Sequence, residues 1–132
     1  MSEPAVFIVD DDAACCDSIR ELVLSVGLSA AVFGSAVEFL TSFDSTWHGC
    51  LVSDLRMPTM NGLALQQRLH AMGARLPIVF VSGSVDTHMA GQAIRNGAVD
   101  VLEKPFGQHQ LLDANCQALC LDDRAGDTRP AA

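Results

Sequence analysis

The chain has 132 residues, 49% of them apolar and 18% charged, with a formal net charge of -8. That is material for one domain, long enough to bury roughly two-thirds of the surface its unfolded form exposes. The acidic balance excludes a segment that grips nucleic-acid phosphates unaided, and no apolar run reaches the roughly 18 residues a membrane span needs.

The five cysteines include an adjacent pair, Cys15 and Cys16, and a pair four apart, Cys116 and Cys120. They form no C-x-x-C spacing and leave an odd count, while the start MSEPAVFIVD lacks the basic stretch of a secretory signal. Free thiols in a reducing cytoplasm are expected. The histidines, His48, His70, His88 and His109, are scattered one per element and make no paired ligand set.

In chain order, Ala5 to Val9 (AVFIV) is a short β-branched run that reads as a buried strand, and it ends in Asp10, Asp11 and Asp12. Asp12 can cap a first helix whose apolar positions Ile19, Leu22, Val23 and Val26 recur at spacings of three and four, with Gly27 at its stop. A weaker strand, Ala30 to Phe33, is followed by Ser35 and Glu38, an S-x-x-E capping box for a second helix. Gly49 to Ser53 (GCLVS) is a third strand and runs into Asp54. Asn61 can cap the next helix, which carries Leu63, Leu65, Leu69 and Met72 and stops at Gly73. Pro77 to Val81 (PIVFV) is a fourth strand ending at Ser82 and Gly83. After Gly97, a helix stop, the weaker run Ala98 to Leu102 ends in Glu103, Lys104 and Pro105. A last helix is expected from about Gly107 to Leu121.

Strands alternating with helices imply crossover connections, a parallel sheet and helices on both faces: an α/β doubly wound architecture. The domain is expected over residues 1–121. The small, charged, proline-containing stretch 122–132 is expected as a flexible tail or linker stub.

Ligands of an open parallel sheet sit outside the carboxyl ends of its strands. Four strands here deliver Asp10 to Asp12, Asp54, Ser82 and Lys104 to that rim. Singly, each has an ordinary explanation: Asp12 as a helix cap, Asp54 or Ser82 in a loop, Lys104 as a solvated charge. Convergence of Asp10, Asp11 and Asp54 has none, because two like charges about 4 Å apart at an effective dielectric of 20 repel by ~4 kcal/mol. Hard oxygen ligands suit Mg2+ or Mn2+, which share their shell with phosphate. With a divalent ion and Lys104 beside it, the rim is chemically sufficient for phosphoryl transfer, and a central carboxylate such as Asp54 can accept the group as an acyl phosphate.

The segments VFIVDDD, VSDLRMPTMNG, VFVSGS and DVLEKPF, in this order and spacing, resemble the receiver domain of bacterial two-component response regulators, the FixJ type in particular. The resemblance covers about Ala5 to Leu121. It implies a flavodoxin-like (βα)5 fold with strand order 2-1-3-4-5. It implies phosphorylation of Asp54 by a sensor histidine kinase or a small donor such as acetyl phosphate. Mg2+ would be held by Asp11, Asp54 and the backbone carbonyl of Arg56, with Asp10 acting mainly through water. Ser82 matches the switch hydroxyl and Lys104 the lysine that pairs with the phosphoryl group, and the Lys104-Pro105 peptide is a candidate for the cis form.

Three positions depart from or vary within the family. Val101 stands where an aromatic commonly couples phosphorylation to the outer surface, and Arg56 and Ser84 occupy the two positions that tune acyl phosphate lifetime. The expected output is a phosphorylation-dependent homodimer through the fourth helix, fifth strand and fifth helix, where Met89, Ala90, Ala93, Val99 and Val101 cluster; core packing is expected to claim about half of these. Transcriptional control would come through a helix-turn-helix domain outside this segment, with a stand-alone receiver as the alternative. The protein would catalyse only its own phosphorylation and dephosphorylation. An aspartyl-phosphate hydrolase of the haloacid dehalogenase type is disfavoured, since Asp10-Asp11-Asp12-Ala13-Ala14 lacks the D-x-D-x-T/V pattern and Asp54 would go unexplained.

Overall fold

The computed structural model describes residues 4–84 and 86–127, and for 122–127 the backbone alone. Five strands and five helices alternate: β1 (Ala5–Val9), α1 (Ala13–Ser25), β2 (Ser29–Phe33), α2 (Ala36–Ser42), β3 (Gly49–Asp54), α3 (Gly62–Ala71), β4 (Ile78–Ser82), α4 (Thr87–Arg95), β5 (Asp100–Glu103) and α5 (Gln108–Asp127). All pairings are parallel, in the order β2-β1-β3-β4-β5. This is the doubly wound parallel sheet expected from the alternation, in the flavodoxin-like strand order that the resemblance implied.

The continuous apolar runs are the three inner strands, and every residue of β1, β3 and β4 is buried. Edge strands β2 and β5 are partly exposed, which is why their sequence signal is weaker. Alternate residues feed opposite faces. Phe7, Val9, Leu51, Ile78 and Phe80 pack with Phe39 of α2, Leu65 and Leu69 of α3 and Ala93 of α4. Val6, Ile8, Cys50, Val52, Val79 and Val81 pack with Cys16, Ile19 and Val23 of α1 and Leu111, Ala114 and Ala118 of α5. Burying a Val, Leu, Ile or Phe side chain contributes about 1.5–3 kcal/mol each, so the two layers hold the sheet as a rigid platform for its rim.

The expected caps form. Asp12 accepts from the Ala14 and Cys15 amides, Ser35 from Glu38 and Asn61 from Ala64. Gly27, Gly73 and Gly97 follow their helices at positive φ. The boundaries move slightly: β5 begins at Asp100, because Ala98 and Val99 are taken up by the turn that closes α4 against Ala93 and Ile78. Helix α5 continues to Asp127, past Leu121, since no proline interrupts the chain before Pro130. The rest of the expected tail, residues 128–132, lies outside the described residues. Of the cluster on the α4 to β5 segment, Ala93 is core, and Met89, Val99 and Val101 are half-buried against the core.

Candidate functional site

The rim at the carboxyl ends of β1, β3, β4 and β5 gathers the polar residues of four loops. Asp10 follows β1 and is 1% exposed; Asp54 closes β3 and is 7% exposed; Asp11 is exposed. One carboxylate oxygen from each of these three lies within 4.8 Å of the others. Lys104, just past β5, reaches back across the sheet: its Nζ donates to Asp10 Oδ2 at 2.9 Å and to Asp54 Oδ2 at 3.2 Å. The second oxygens are held by the backbone, Asp10 Oδ1 by the Asp12 amide at 2.9 Å and Asp54 Oδ1 by the Arg56 amide at 3.0 Å.

Position in the sheet explains the convergence. Strand β3 pairs β1 and β4 on its two sides, and β5 follows β4, with the backbone amide of Lys104 extending the ladder to the Ser82 carbonyl at 2.8 Å. The Lys104-Pro105 peptide is cis, as the resemblance implied. Gly62 opens α3 directly beneath Asp54: a Cβ there would stand 2.5 Å from the Asp54 carbonyl oxygen and 2.7 Å from Phe80 Cε1. Only glycine lets α3 approach the strand this closely.

Electrostatics oppose each other at this site. Burial raises the Asp54 carboxyl above its ordinary value and neighbouring Asp10 adds to the rise, while the Arg56 amide and Lys104 pull it down without cancelling it. Burial works against the Lys104 ammonium, but its hydrogen bond to Asp10 and the charges of Asp10 and Asp54 outweigh that, and its value ends raised. Lys104 is therefore a firmly charged group. Three carboxylates against one ammonium leave an excess of negative charge, which a hard divalent cation offsets. The residues thus fit Mg2+ or Mn2+ through Asp10, Asp11 and Asp54.

Ser82 ends β4 and is 1% exposed. Its hydroxyl is occupied within its own loop, donating to the Ser84 carbonyl at 3.2 Å and accepting from the Ser84 amide at 3.4 Å. Arg56 is exposed, and its side chain crosses to the same loop: Nε donates to the Ser84 carbonyl at 3.3 Å, and Nη2 stands 3.8 Å from Asp86 Oδ2. Val101 lies in β5, half-buried against the core.

Three participants escaped sequence reading. Asp86 caps α4 by accepting from the His88 and Met89 amides, the same kind of cap that Asp12 makes for α1. Gly62 had no visible partner in sequence. Cys15 carries no sequence signal beyond that of an ordinary thiol, yet it lies against Asp10 and Lys104; burial first, then Asp10, pushes it up to about 11.

Residues 6–115 match the family model of the response regulator receiver domain. The chain is 44% identical over 122 residues to the transcriptional regulatory protein TdiR of Thauera aromatica, covering 92% of this chain and 54% of that protein. It is 40% identical over 106 residues to the transcriptional regulatory protein FixJ of Bradyrhizobium diazoefficiens, covering 80% and 52%. Among solved structures, the response regulator StyR superposes with a TM-score of 0.91 at 40% identity, covering 96% of this chain and 64% of that one. FixJ-N superposes with a TM-score of 0.79 at 32% identity, covering 89% and 94%. The chain spans about half the length of the curated relatives it matches. With its fold, its motifs and these relatives in agreement, the chain belongs to the family of response regulator receiver domains.

Proposed function

We propose that this receiver accepts a phosphoryl group on Asp54 from a sensor histidine kinase, or from acetyl phosphate. The observation that carries the reading is the shared ammonium: Lys104 Nζ bridges Asp10 and Asp54, with Asp11 beside them. Phosphoryl transfer chiefly requires positioning and positive charge, which Lys104 would supply together with a divalent cation held by the carboxylates.

An Asp54 carboxylate oxygen forms the new bond to phosphorus as the bond to the donor's imidazole nitrogen or acyl oxygen breaks, its electron pair leaving with the donor. Bound Mg2+, or Mn2+, supplies charge neutralisation at the transferring group. Asp10, Asp11 and Asp54 would hold it, with the Arg56 carbonyl as a further ligand. Lys104 pairs with the incoming oxygens and stays protonated throughout. Ser82 exchanges its bond to Ser84 for one to the phosphoryl group. The protein catalyses only its own phosphorylation and dephosphorylation.

The relatives' names support a transcriptional output. It would act through a helix-turn-helix domain outside this segment, with a homodimer through α4, β5 and α5 as the phosphorylated form; a stand-alone receiver is the alternative. Sedimentation with saturating Mg2+ and beryllofluoride tests the dimer, and an unchanged monomer rejects it. The decisive experiment for the site is labelling by acetyl phosphate. Mg2+-dependent gain of one phosphoryl group, lost in Asp54→Asn, is expected, whereas labelling that persists in Asp54→Asn removes the assignment.

A further inference from the structure

We propose that α4 is a lever, pinned at its C-terminal end by Gln66 and latched at its N-terminal end by Arg56, and that a phosphoryl group on Asp54 opens the latch. The opening step rests on the reading of Asp54 as phosphoacceptor.

Apolar burial holds α4 only lightly. Within Thr87–Arg95 only Ala93 is fully buried, and Ile94 is 47% exposed. Polar ties at its two ends therefore carry weight. At the C-terminal end, Gln66 of α3, itself 1% exposed, donates Nε2 to the Ala93 carbonyl at 3.1 Å. That carbonyl also takes the Ala98 amide at 3.0 Å, so the pin sits where α4 turns into β5. Gln66 Oε1 is buried with no hydrogen-bond partner. A buried amide left half-satisfied is a cost the fold carries for the sake of the bond its other half makes.

At the N-terminal end, Asp86 uses Oδ1 to cap α4, taking the His88 amide at 2.7 Å and the Met89 amide at 3.3 Å, while Oδ2 faces Arg56. Arg56 Nε and Ser82 Oγ both donate to one acceptor, the Ser84 carbonyl. A phosphoryl group on Asp54, two residues from Arg56, is a stronger acceptor than a neutral carbonyl and competes for both donors. Losing them releases Ser84 and leaves Asp86 without its guanidinium, so the first turn of α4 swings while the Ala93 end stays fixed. This route leads out of the site through a helix cap and needs no aromatic at Val101.

Asp86→Asn keeps a good cap and removes the charge that Arg56 holds. With the full chain and saturating Mg2+, this variant is expected to bind beryllofluoride about two- to fivefold more tightly than wild type, the range of an exposed ion pair. In an Arg56→Met background the gain should vanish, because the two residues act as one tie. In the ligand-free protein, Asp86→Asn should speed hydrogen exchange at Met89 and Ala90 but not at Gly97 and Ala98, and Gln66→Leu should do the reverse. Equal affinities, a gain that persists in Arg56→Met, or exchange that rises evenly along α4 overturns the lever. Wild-type protein that takes up no beryllofluoride overturns the phosphoacceptor reading instead, while the exchange arm, which needs no ligand, still decides the latch.

Discussion

Asp54 Oδ2 and Lys104 Nζ stand 3.2 Å apart across 50 residues of chain, and the same ammonium reaches Asp10. Lys104 thus supplies the positive charge that keeps two buried carboxylates together.

Removing that charge exposes their repulsion. Lys104→Met is expected to lower stability by about 2 kcal/mol in chelator, less than a fully buried pair would lose because the lysine is partly exposed. Added Mg2+ should restore much of the loss. Urea midpoints with and without Mg2+ check this; a deficit indifferent to Mg2+ would show that repulsion between Asp10 and Asp54 is not its cause.

Asp54 gives a pH signature. An acid whose folded value is raised stabilises the fold while protonated: the contribution is complete below the ordinary carboxylate value and is lost as pH rises through the raised one. At neutral pH the ionised, desolvated group costs stability. In chelator, Asp54→Asn should therefore melt above wild type at pH 7, and the gap should close as pH falls through the carboxylate range. Calorimetry across that range decides; a gap independent of pH would exclude the charge as its cause.

The fold was legible because the three inner strands are unbroken apolar runs and the helices carry their caps and stops in sequence, as Asp12, Ser35 and Asn61 show. The acidic rim was legible for a topological reason: a parallel sheet sends every strand's carboxyl end the same way, so Asp10, Asp54, Ser82 and Lys104 had to meet. What stayed hidden depends on distances between loops. Nothing in the spacing of Arg56, Ser84 and Asp86 reveals that one guanidinium reaches both of the others. Nor does sequence tell that Gly62 lies under Asp54, which takes the crossing of α3 over β3 to see.

That crossing makes Gly62→Ala informative. The added methyl would meet a backbone carbonyl and a fully buried ring, neither able to move aside cheaply. A loss of about 2–3 kcal/mol is expected, with slower labelling by acetyl phosphate as the loop bearing Asp54 shifts. Chemical denaturation and labelling rates measured on one preparation test both. Wild-type stability in the variant would mean that α3 can slide away from β3.

The thiols divide by burial. Cys116 and Cys120 are exposed, Cys16 and Cys50 are buried. Cys15 is half-buried and pushed up to about 11, so at pH 8 little of it is thiolate, the reactive form. Alkylation at pH 8 followed by peptide mapping should modify Cys116 and Cys120 first, Cys15 far more slowly, and Cys16 and Cys50 only on unfolding. Early modification of Cys15 would contradict its contact with Asp10.

Asn115 is the counterpart of Gln66 on the opposite face of the sheet. It is fully buried on α5, accepts a weak hydrogen bond from Cys50 Sγ at 4.0 Å, and leaves Nδ2 without a hydrogen-bond partner. Its neighbours Leu111, Ala114 and Ala118 belong to the apolar layer, so the amide forgoes water for little return. Replacing such a group by an apolar one of similar volume is nearly neutral or stabilising. Asn115→Leu is expected to raise stability by up to about 1 kcal/mol, whereas Gln66→Leu, which removes a bond of ordinary length to Ala93, should lower it by about 1 kcal/mol. Opposite signs from two buried amides, read from urea midpoints at constant slope, would show that one is retained for a tie and the other is not; a loss in both would mean that Asn115 has a role in the packing of α5 on β3.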